Sequence, residues 1–252
     1  MAELLFRSRT ATHPGTRRTL NEDRFVDRPD IGLWAVADGA GGHESGDLAA
    51  GIIAENLEKI EPGLSGSELL VAVRQRIAEA NAALRVEAER RGPEAMLAST
   101  VVALLAREGH FACLWAGDSR AYLMRDDVLA PLTHDHSVVQ ELVDGGTITD
   151  KEAERHPSAH VITRAVGAGE ELELDKVIGE LRPGDRFLLC SDGLSKVVSG
   201  PELGATLRAL GWQAAASLVE AALAADGSDN VTAVTVAADA PDPDSLPEGE
   251  GP

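Results

Sequence analysis

The chain has 252 residues, of which 42 are acidic and 23 are basic, and its formal net charge is −19. Such an acidic surface argues against binding to nucleic acid or to an anionic membrane, and it suits divalent cations. Cys113 and Cys190 both lie inside apolar runs, where free thiols behave as small hydrophobic side chains. Because no signal peptide or membrane-spanning segment can be recognised, we expect a cytoplasmic protein.

The first half of the chain mixes strand-like and helix-like segments. Apolar runs and alternating patterns predict strands over 4–13, 31–37, 99–106, 110–116 and 121–125. Apolar residues three and four positions apart predict helices over 44–60 and 67–91. The charged stretch 17–26 reads as a turn when taken alone. Short strands that follow one another in this way favour an antiparallel sheet.

The second half begins with an irregular, glycine-containing stretch at 133–170, which has the character of a flap over the main body. Further on, we predict strands over 172–180, 186–190 and 231–237, and helices over 138–143, 150–155, 201–210 and 212–225. Residues 239–252 are rich in Pro, Gly, Asp and Glu, so we expect an acidic, disordered tail. The remaining residues, 1–238, are expected to form one domain.

Carboxylates recur where the apolar strands begin or end. They are Asp23, Asp38, Asp118, Asp192 and Asp229. Each alone reads as a turn or cap residue, but if the strand ends meet at one edge, so many carboxylates need cations to stay ionised together. Oxygen ligands favour magnesium or manganese, and two such ions can hold a bridging water and lower its pKa. Arg18 could then clamp a phosphate group.

A zinc site is the alternative suggested by the His134-Asp135-His136 sequence. One His-x-His pair is a weak signal, because zinc sites need further ligands at set spacings. No cluster of Cys or His supplies those ligands, so we do not expect zinc.

Five segments, in this order, resemble the protein phosphatase 2C family of metal-dependent serine/threonine phosphatases, in its bacterial form. They are Arg18-x-x-Asn21-Glu22-Asp23, Ala37-Asp38-Gly39-x-Gly41-Gly42-His43, Gly117-Asp118-Ser119-Arg120, Ser191-Asp192-Gly193-Leu194 and Asp229-Asn230-Val231-Thr232. The resemblance spans roughly 5–238. It implies an α+β fold, a four-layer α-β-β-α sandwich of two antiparallel sheets flanked by helix pairs, with the bacterial flap at about 133–170.

The resemblance also implies two core ions, manganese or magnesium. Asp38 would bridge them with help from the Gly39 carbonyl, and Asp192 and Asp229 would complete one of them. Arg18 would bind the substrate phosphate. The expected reaction is hydrolysis of phosphoserine and phosphothreonine by a metal-activated water.

Other residues have supporting roles in this resemblance. Glu22 and Asp23 would support the metal centre, and Asp118 would help to hold a third, weaker ion. Animal members carry a histidine, the expected general acid, where this chain has Ala40. His43 is close in sequence, but it reads as a helix-start residue, so the proton donor stays open.

The expected partners are phosphorylated proteins, the substrates of a cognate serine/threonine kinase, and the expected state is a monomer. Two alternatives remain: a non-catalytic relative that binds phosphoproteins, and a hydrolase of small phosphoesters. The Gly32-Leu33-Trp34-Ala35-Val36 stretch looks like that of phosphatases encoded with type VI secretion systems.

Overall fold

The structure is a computed structural model that describes residues 4–40, 44–92 and 94–241. The predicted residues Gly41, Gly42 and His43, and most of the predicted tail, 242–252, lie outside the described residues. In the described ranges, none of the helices is long and apolar enough to cross a membrane.

The described residues form strands and helices in a regular succession. The strands are β1 (Leu5–His13), β2 (Asp23–Arg28), β3 (Leu33–Ala40), β4 (Ala98–Ser99), β5 (Val101–Arg107), β6 (His110–Ala116), β7 (Arg120–Arg125), β8 (Val128–Pro131), β9 (Asp175–Glu180), β10 (Asp185–Cys190) and β11 (Val231–Asp239). The helices are α1 (Glu44–Glu58), α2 (Gly66–Arg91), α3 (Val138–Asp144), α4 (Asp150–Ala153), α5 (Asp192–Ser195), α6 (Gly200–Leu210) and α7 (Ala215–Ala224).

The strands build two antiparallel sheets. One has the order β1-β11-β10-β7-β8, and the other has the order β2-β3-β5-β6-β9, with β4 paired to β3. The chain leaves each sheet for a pair of longer helices, α1 and α2 from one sheet and α6 and α7 from the other.

Strand β3 shows why its sequence is apolar at every position. Leu33 and Ala35 face one layer of the core, which includes residues of α1 and α2, whereas Trp34 and Val36 face the layer between the sheets. All four side chains are buried. A strand with both faces covered needs a continuous apolar run instead of an alternating one.

Three buried layers hold the sandwich together. The first lies between α1–α2 and one sheet, the second between the two sheets, and the third between the other sheet and α5–α7. Full burial of a large apolar side chain such as Phe187 contributes roughly 1.5–3 kcal/mol. The predicted α+β architecture, with two antiparallel sheets flanked by helix pairs, is confirmed.

Four local features differ from the sequence-based prediction. Strand β3 continues beyond Asp38, because Gly39 and Ala40 pair with β4, a partner about 60 residues away that local pattern cannot reveal. Part of the charged stretch 17–26 forms β2, which is an edge strand and therefore tolerates charges. Strands as short as β8 and helices as short as α5 have too few residues to show a period.

Candidate active site

Asp23 and Asp38 face each other across the β2–β3 ladder, where they are paired in register. The backbone of Asp38 is fixed by Thr100: the Thr100 amide donates to the Asp38 carbonyl at 2.9 Å, and the Asp38 amide donates to the Thr100 hydroxyl at 3.1 Å. The Ser99 hydroxyl also donates to that carbonyl, at 2.9 Å. Strand pairing and these hydrogen bonds therefore fix the backbone positions from which the two carboxylate side chains extend.

Gly39 follows Asp38 at a point where two backbones touch. A Cβ on Gly39 would lie 2.1 Å from the carbonyl oxygen of Gly46 in α1, so a larger residue would force β3 and α1 apart. A Cβ on Gly46 would in turn lie 2.9 Å from Glu22 Oε1. The Asp-Gly pair thus brings the end of β3, the first turn of α1 and the Glu22 carboxylate together.

Helix α5 begins at Asp192, shortly after the end of β10. Gly193 lets this helix come close to the segment that contains Asp229, another predicted metal ligand. A Cβ on Gly193 would lie 2.0 Å from the carbonyl oxygen of Asn230. Because Asn230 follows Asp229, the close contact holds the Asp192 and Asp229 segments side by side. This explains in physical terms why a glycine follows Asp192.

Asn230 ties the segment that carries Arg18 to the site. Its side-chain amide donates to the carbonyls of Pro14 and Leu20, at 2.9 Å each, and its Oδ1 accepts from the Glu22 amide at 2.8 Å. These bonds hold both ends of the loop between β1 and β2. Arg18 lies in that loop and forms an ion pair with Asp229.

Asp23 is the most buried carboxylate of the group, with 1% of its surface exposed. Its Oδ2 accepts a hydrogen bond from the Ser191 hydroxyl at 2.7 Å. Among the described residues, its Oδ1 meets no donor at hydrogen-bonding geometry. Burial raises the pKa of Asp23 to about 7, against the lowering effect of the Thr232 and Ser191 hydroxyls.

The carboxylate of Asp38 stands among other acids. Burial, followed by the charges of Asp23, Asp192, Asp118 and Asp229, raises the pKa of Asp38 well above its usual range. Asp38 pairs with Asp23, whose hydrogen-bond partner Ser191 precedes Asp192 in the chain. Asp229 lies beside Asp192 through the contact between Gly193 and Asn230, and Lys196 joins Asp192 to Asp118. These contacts connect the five aspartates that the sequence singles out.

Asp118, which follows β6, shares a basic neighbour with Asp192. Lys196 Nζ lies 3.0 Å from Asp118 Oδ2 and 2.5 Å from Asp192 Oδ2. Burial and the charge of Asp192 raise the pKa of Asp118, and Lys196 lowers it in part. Lys196 is not among the residues predicted from the sequence, although its i,i+4 spacing from Asp192 at a helix start is a usable signal.

The donor set fits manganese or magnesium in its chemistry, since the acidic side chains offer only oxygen atoms. Two observations support this fit: Asp23 has a buried oxygen without a donor, and Lys196 and Arg18 place positive charge against three of the carboxylates. Across residues 4–40, 44–92 and 94–241, however, no group of three or more acidic, His or Cys side chains stands ready to hold an ion. Ion pairing with Lys196 and Arg18 directs carboxylate oxygens of Asp118, Asp192 and Asp229 towards nitrogen atoms.

The stretch 133–170 lies beside this centre and is anchored at both ends. Near its start, Arg120 binds Asp135 through two contacts of 2.8 and 2.7 Å, and Trp115 Nε1 donates to the His134 carbonyl at 2.8 Å. Near its end, Val166 pairs with Ser99. Helices α3 and α4 lie between these anchors.

A cleft of about 660 Å³ separates the flap from the start of α6 and reaches Lys196. The flap side is lined by His134, Asp135, Gln140 and Glu154, and the opposite side includes Ser199 and Gly200. Nε2 of His134, the first residue of the weak zinc pattern, lies within hydrogen-bond distance of Asp144 Oδ2, at 2.7 Å. Cys113 and Cys190 are free, buried thiols, as predicted.

Comparison with known proteins gives this arrangement a family. The family described as protein phosphatase 2C matches residues 15–228. The chain belongs to the protein phosphatase 2C family. The predicted family is therefore confirmed, and the match contains all of the predicted site residues except Asp229.

Three relatives illustrate the similarity of this protein phosphatase 2C chain to known proteins. The serine/threonine protein phosphatase PstP of Mycobacterium tuberculosis is 36% identical over 232 residues, which are 92% of this chain and 45% of PstP. The chain thus spans about half the length of that relative. The solved structure of PppA, described as a key regulatory component of T6SS in Pseudomonas aeruginosa, is 42% identical, has a TM-score of 0.87 and matches 94% of this chain and 100% of PppA.

The third relative bears on the metal. The solved structure of the PstP catalytic domain, in complex with two manganese ions, is 35% identical, has a TM-score of 0.81 and matches 94% of this chain and 99% of that domain. The sequence predicts two core manganese or magnesium ions, and this family member agrees with that number and that class of metal.

Proposed function

We propose that the chain hydrolyses phosphoserine and phosphothreonine in proteins, as a metal-dependent serine/threonine phosphatase. The observation that carries the proposal is the series of contacts that links the five aspartates and Arg18, at the ends of strands from both sheets. Bound manganese or magnesium ions would supply an activated water and a Lewis acid there. A non-catalytic phosphoprotein-binding relative would have no use for so many opposed charges.

The proposed site residues have distinct roles in this reaction. Asp38, with the Gly39 carbonyl, and the pair Asp192 and Asp229 would hold the two core ions. Glu22 and Asp23 would support them from behind, where Asp23 is held by the Ser191 hydroxyl. Arg18 would orient the phosphate, because a guanidinium group can contact two phosphate oxygens at once.

The proton for the leaving group must come from elsewhere than the position after Gly39. Ala40 is part of β3 and has no proton to give. His43 lies outside the described residues, so its part in the reaction stays a prediction from the sequence. A water molecule at the carboxylate centre is the donor we favour.

The cleft also favours a protein substrate over a small phosphoester. Its volume of about 660 Å³ offers room for peptide residues that flank the phosphorylated side chain, beside Lys196 and outside the group of five aspartates. We propose that residues 1–238 act as one phosphatase domain, with 133–170 as a flap that contacts the substrate. The opposing kinase, the cytoplasmic location and the monomeric state stay predictions.

The PppA comparison and the Gly32–Val36 stretch support a proposal about the setting in the cell. PppA is described as a regulatory component of T6SS, and it is 42% identical to this chain. We therefore propose that the substrates include a phosphorylated regulator of such a secretion system.

The decisive experiment measures hydrolysis of a phosphothreonine peptide with added manganese, with a chelator, and with neither. Release of phosphate that depends on manganese supports the proposal. A matched assay with a small aryl phosphate separates the alternatives: a strong preference for the aryl phosphate would favour a small-molecule hydrolase. Binding of the phosphopeptide without turnover would favour a non-catalytic binding protein.

A further inference from the structure

Lys196 lies between two carboxylates of the candidate metal centre. Its Nζ is 3.0 Å from Asp118 Oδ2 and 2.5 Å from Asp192 Oδ2. The two acids are well shielded, with side-chain exposures of 7% for Asp118 and 17% for Asp192. Within the described ranges, Lys196 is the basic side chain in ion-pair contact with either of them.

The local fold directs Lys196 to this position. Helix α5 begins at Asp192, and the Lys196 amide donates to the Asp192 carbonyl at 2.8 Å, which closes one helical turn. Residues four apart on a helix lie on the same face, and side chains point back towards the helix start. The lysine stem therefore runs back to Asp192, and its end reaches Asp118 on the loop between β6 and β7.

The geometry makes Lys196 the counterion of both acids. Its Nζ lies within ion-pair distance of one oxygen of each carboxylate, so its positive charge offsets the repulsion between them.

We propose that Lys196 is a tethered cation for the Asp118–Asp192 pair, so that a third divalent ion can bind there only by displacing its ammonium group. The inference rests on the proposed function, because it concerns a position beside the two core ions. An ammonium group and a divalent ion cannot share the same two oxygen atoms. The chain therefore carries its own competitor for the third ion.

The test is a manganese titration of the metal-free protein, followed by calorimetry and by the electron paramagnetic resonance signal of free manganese. Lys196→Met keeps much of the length of the side chain but removes the charge. We expect the two tight binding steps to stay as in the wild type, and the third step to become at least about tenfold tighter. Lys151→Met, in the exposed helix α4, is the matched control and should titrate like the wild type.

A second variant assigns the gained step to the proposed place. Asp118→Asn, added to Lys196→Met, should remove the gain, because a neutral amide is a weaker ligand than a carboxylate. Lys196→Arg keeps the charge and should keep the third step weak. If Lys196→Met does not fold, Lys196→Arg still tests the proposal, because the manganese titration of Lys196→Arg should match that of the wild type.

Two results would overturn the inference. One is a third step of unchanged affinity in folded Lys196→Met, or a markedly tighter one in Lys196→Arg. The other is loss of the two tight steps, which would make Lys196 a support of the core centre. Because the titration counts ions and needs no substrate, a chain that gains the third step but hydrolyses no phosphopeptide would reject the proposed function alone.

Discussion

Arg18 and Asp229 form an ion pair with two contacts: Arg18 Nε lies 3.0 Å from Asp229 Oδ1, and Arg18 Nη2 lies 3.1 Å from Asp229 Oδ2. The predicted phosphate ligand is thus held by a predicted metal ligand. Both side chains are about half exposed, at 52% and 45%, so the pair contributes little stability and is easily opened. A cation that takes Asp229 would release Arg18 towards the phosphate.

The first prediction concerns this arginine. Arg18→Ala should raise the KM for a phosphothreonine peptide roughly tenfold and lower kcat less, because a guanidinium group that binds phosphate does so before and during the reaction. Steady-state kinetics at saturating manganese measures both constants. An unchanged KM would remove Arg18 from the phosphate site.

Arg17→Ala is the matched control for that experiment. Arg17 pairs with Asp226 on the exposed surface, at 3.3 Å, one residue away from Arg18. Loss of such a pair should leave both constants within about twofold of the wild type. A similar rise in KM for both variants would point to the general positive charge of this loop as the cause.

The second prediction concerns Asp38. Asp38→Asn should abolish manganese-dependent turnover, since no neighbouring carboxylate takes the same place on β3. Without metal, the variant should be at least as stable as the wild type, because it removes a charge that four other acids oppose. Thermal unfolding with and without manganese measures this, and the stabilisation by metal should be largely lost.

A matched control for Asp38→Asn is Asp27→Asn on β2. Asp27 is exposed and accepts a hydrogen bond from the Ser8 hydroxyl, which an asparagine oxygen can also accept. The turnover of Asp27→Asn and its stabilisation by manganese should match those of the wild type. Manganese-dependent turnover in Asp38→Asn above a few per cent of the wild type would contradict the bridging role.

The third prediction concerns pH and the metal-free protein. The folded chain keeps a proton on Asp23 up to about pH 7, whereas the unfolded chain releases it near the ordinary value of 3.8. Between these values the folded state binds more protons, so the free energy of unfolding falls as pH rises. The slope from this group is at most about 1.4 kcal/mol per pH unit.

Urea unfolding at several pH values, on protein freed of metal, measures that slope. Asp23→Asn carries no titrating group there, so its free energy of unfolding should fall less between about pH 4 and about pH 7. The comparison with the wild type removes the contribution of the histidines, which both proteins share. Parallel curves for the two proteins would show that Asp23 has an ordinary pKa.

Much of the candidate metal centre can be predicted from the sequence because its aspartates lie where strands begin or end. The apolar runs before Asp38 and Asp192 locate β3 and β10, and acids at strand ends meet when the sheets stack. The partners of these acids do not follow in the same way. Lys196 reaches Asp118, 78 positions earlier in the chain, only through the packing of α5 beside the loop after β6.

Strand bounds show the same limit. The β3 ladder past Asp38 depends on β4, and the Asp23 carboxylate interacts with the hydroxyls of Ser191, after β10, and Thr232, on β11. These contacts join residues far apart in sequence, so hydrophobic periodicity and motif spacing do not reveal them. The order of the motifs indicates the family, whereas the neutralising contacts need the three-dimensional structure.

The last prediction concerns the cleft between the flap and α6. Ser199 is exposed at the rim of the cleft and makes no capping hydrogen bond from its side chain, so it can be replaced without loss of a helix cap. Ser199→Trp should fill part of the 660 Å³ volume and raise the KM for a phosphothreonine peptide roughly tenfold, a loss of about 1.4 kcal/mol. The KM for a small aryl phosphate should stay unchanged, because that substrate needs only the carboxylate centre and Arg18.

Ala209→Trp, near the other end of α6, adds the same bulk on an exposed surface and should leave both substrates unaffected. The measurement is a pair of KM values for each of the three proteins, at one manganese concentration. Equal increases for the peptide and the aryl phosphate in Ser199→Trp would mean that the tryptophan disturbs the centre itself, through α5 and Lys196. No increase for either substrate would show that peptides approach the carboxylates from a different side, and the flap would then have a structural role only.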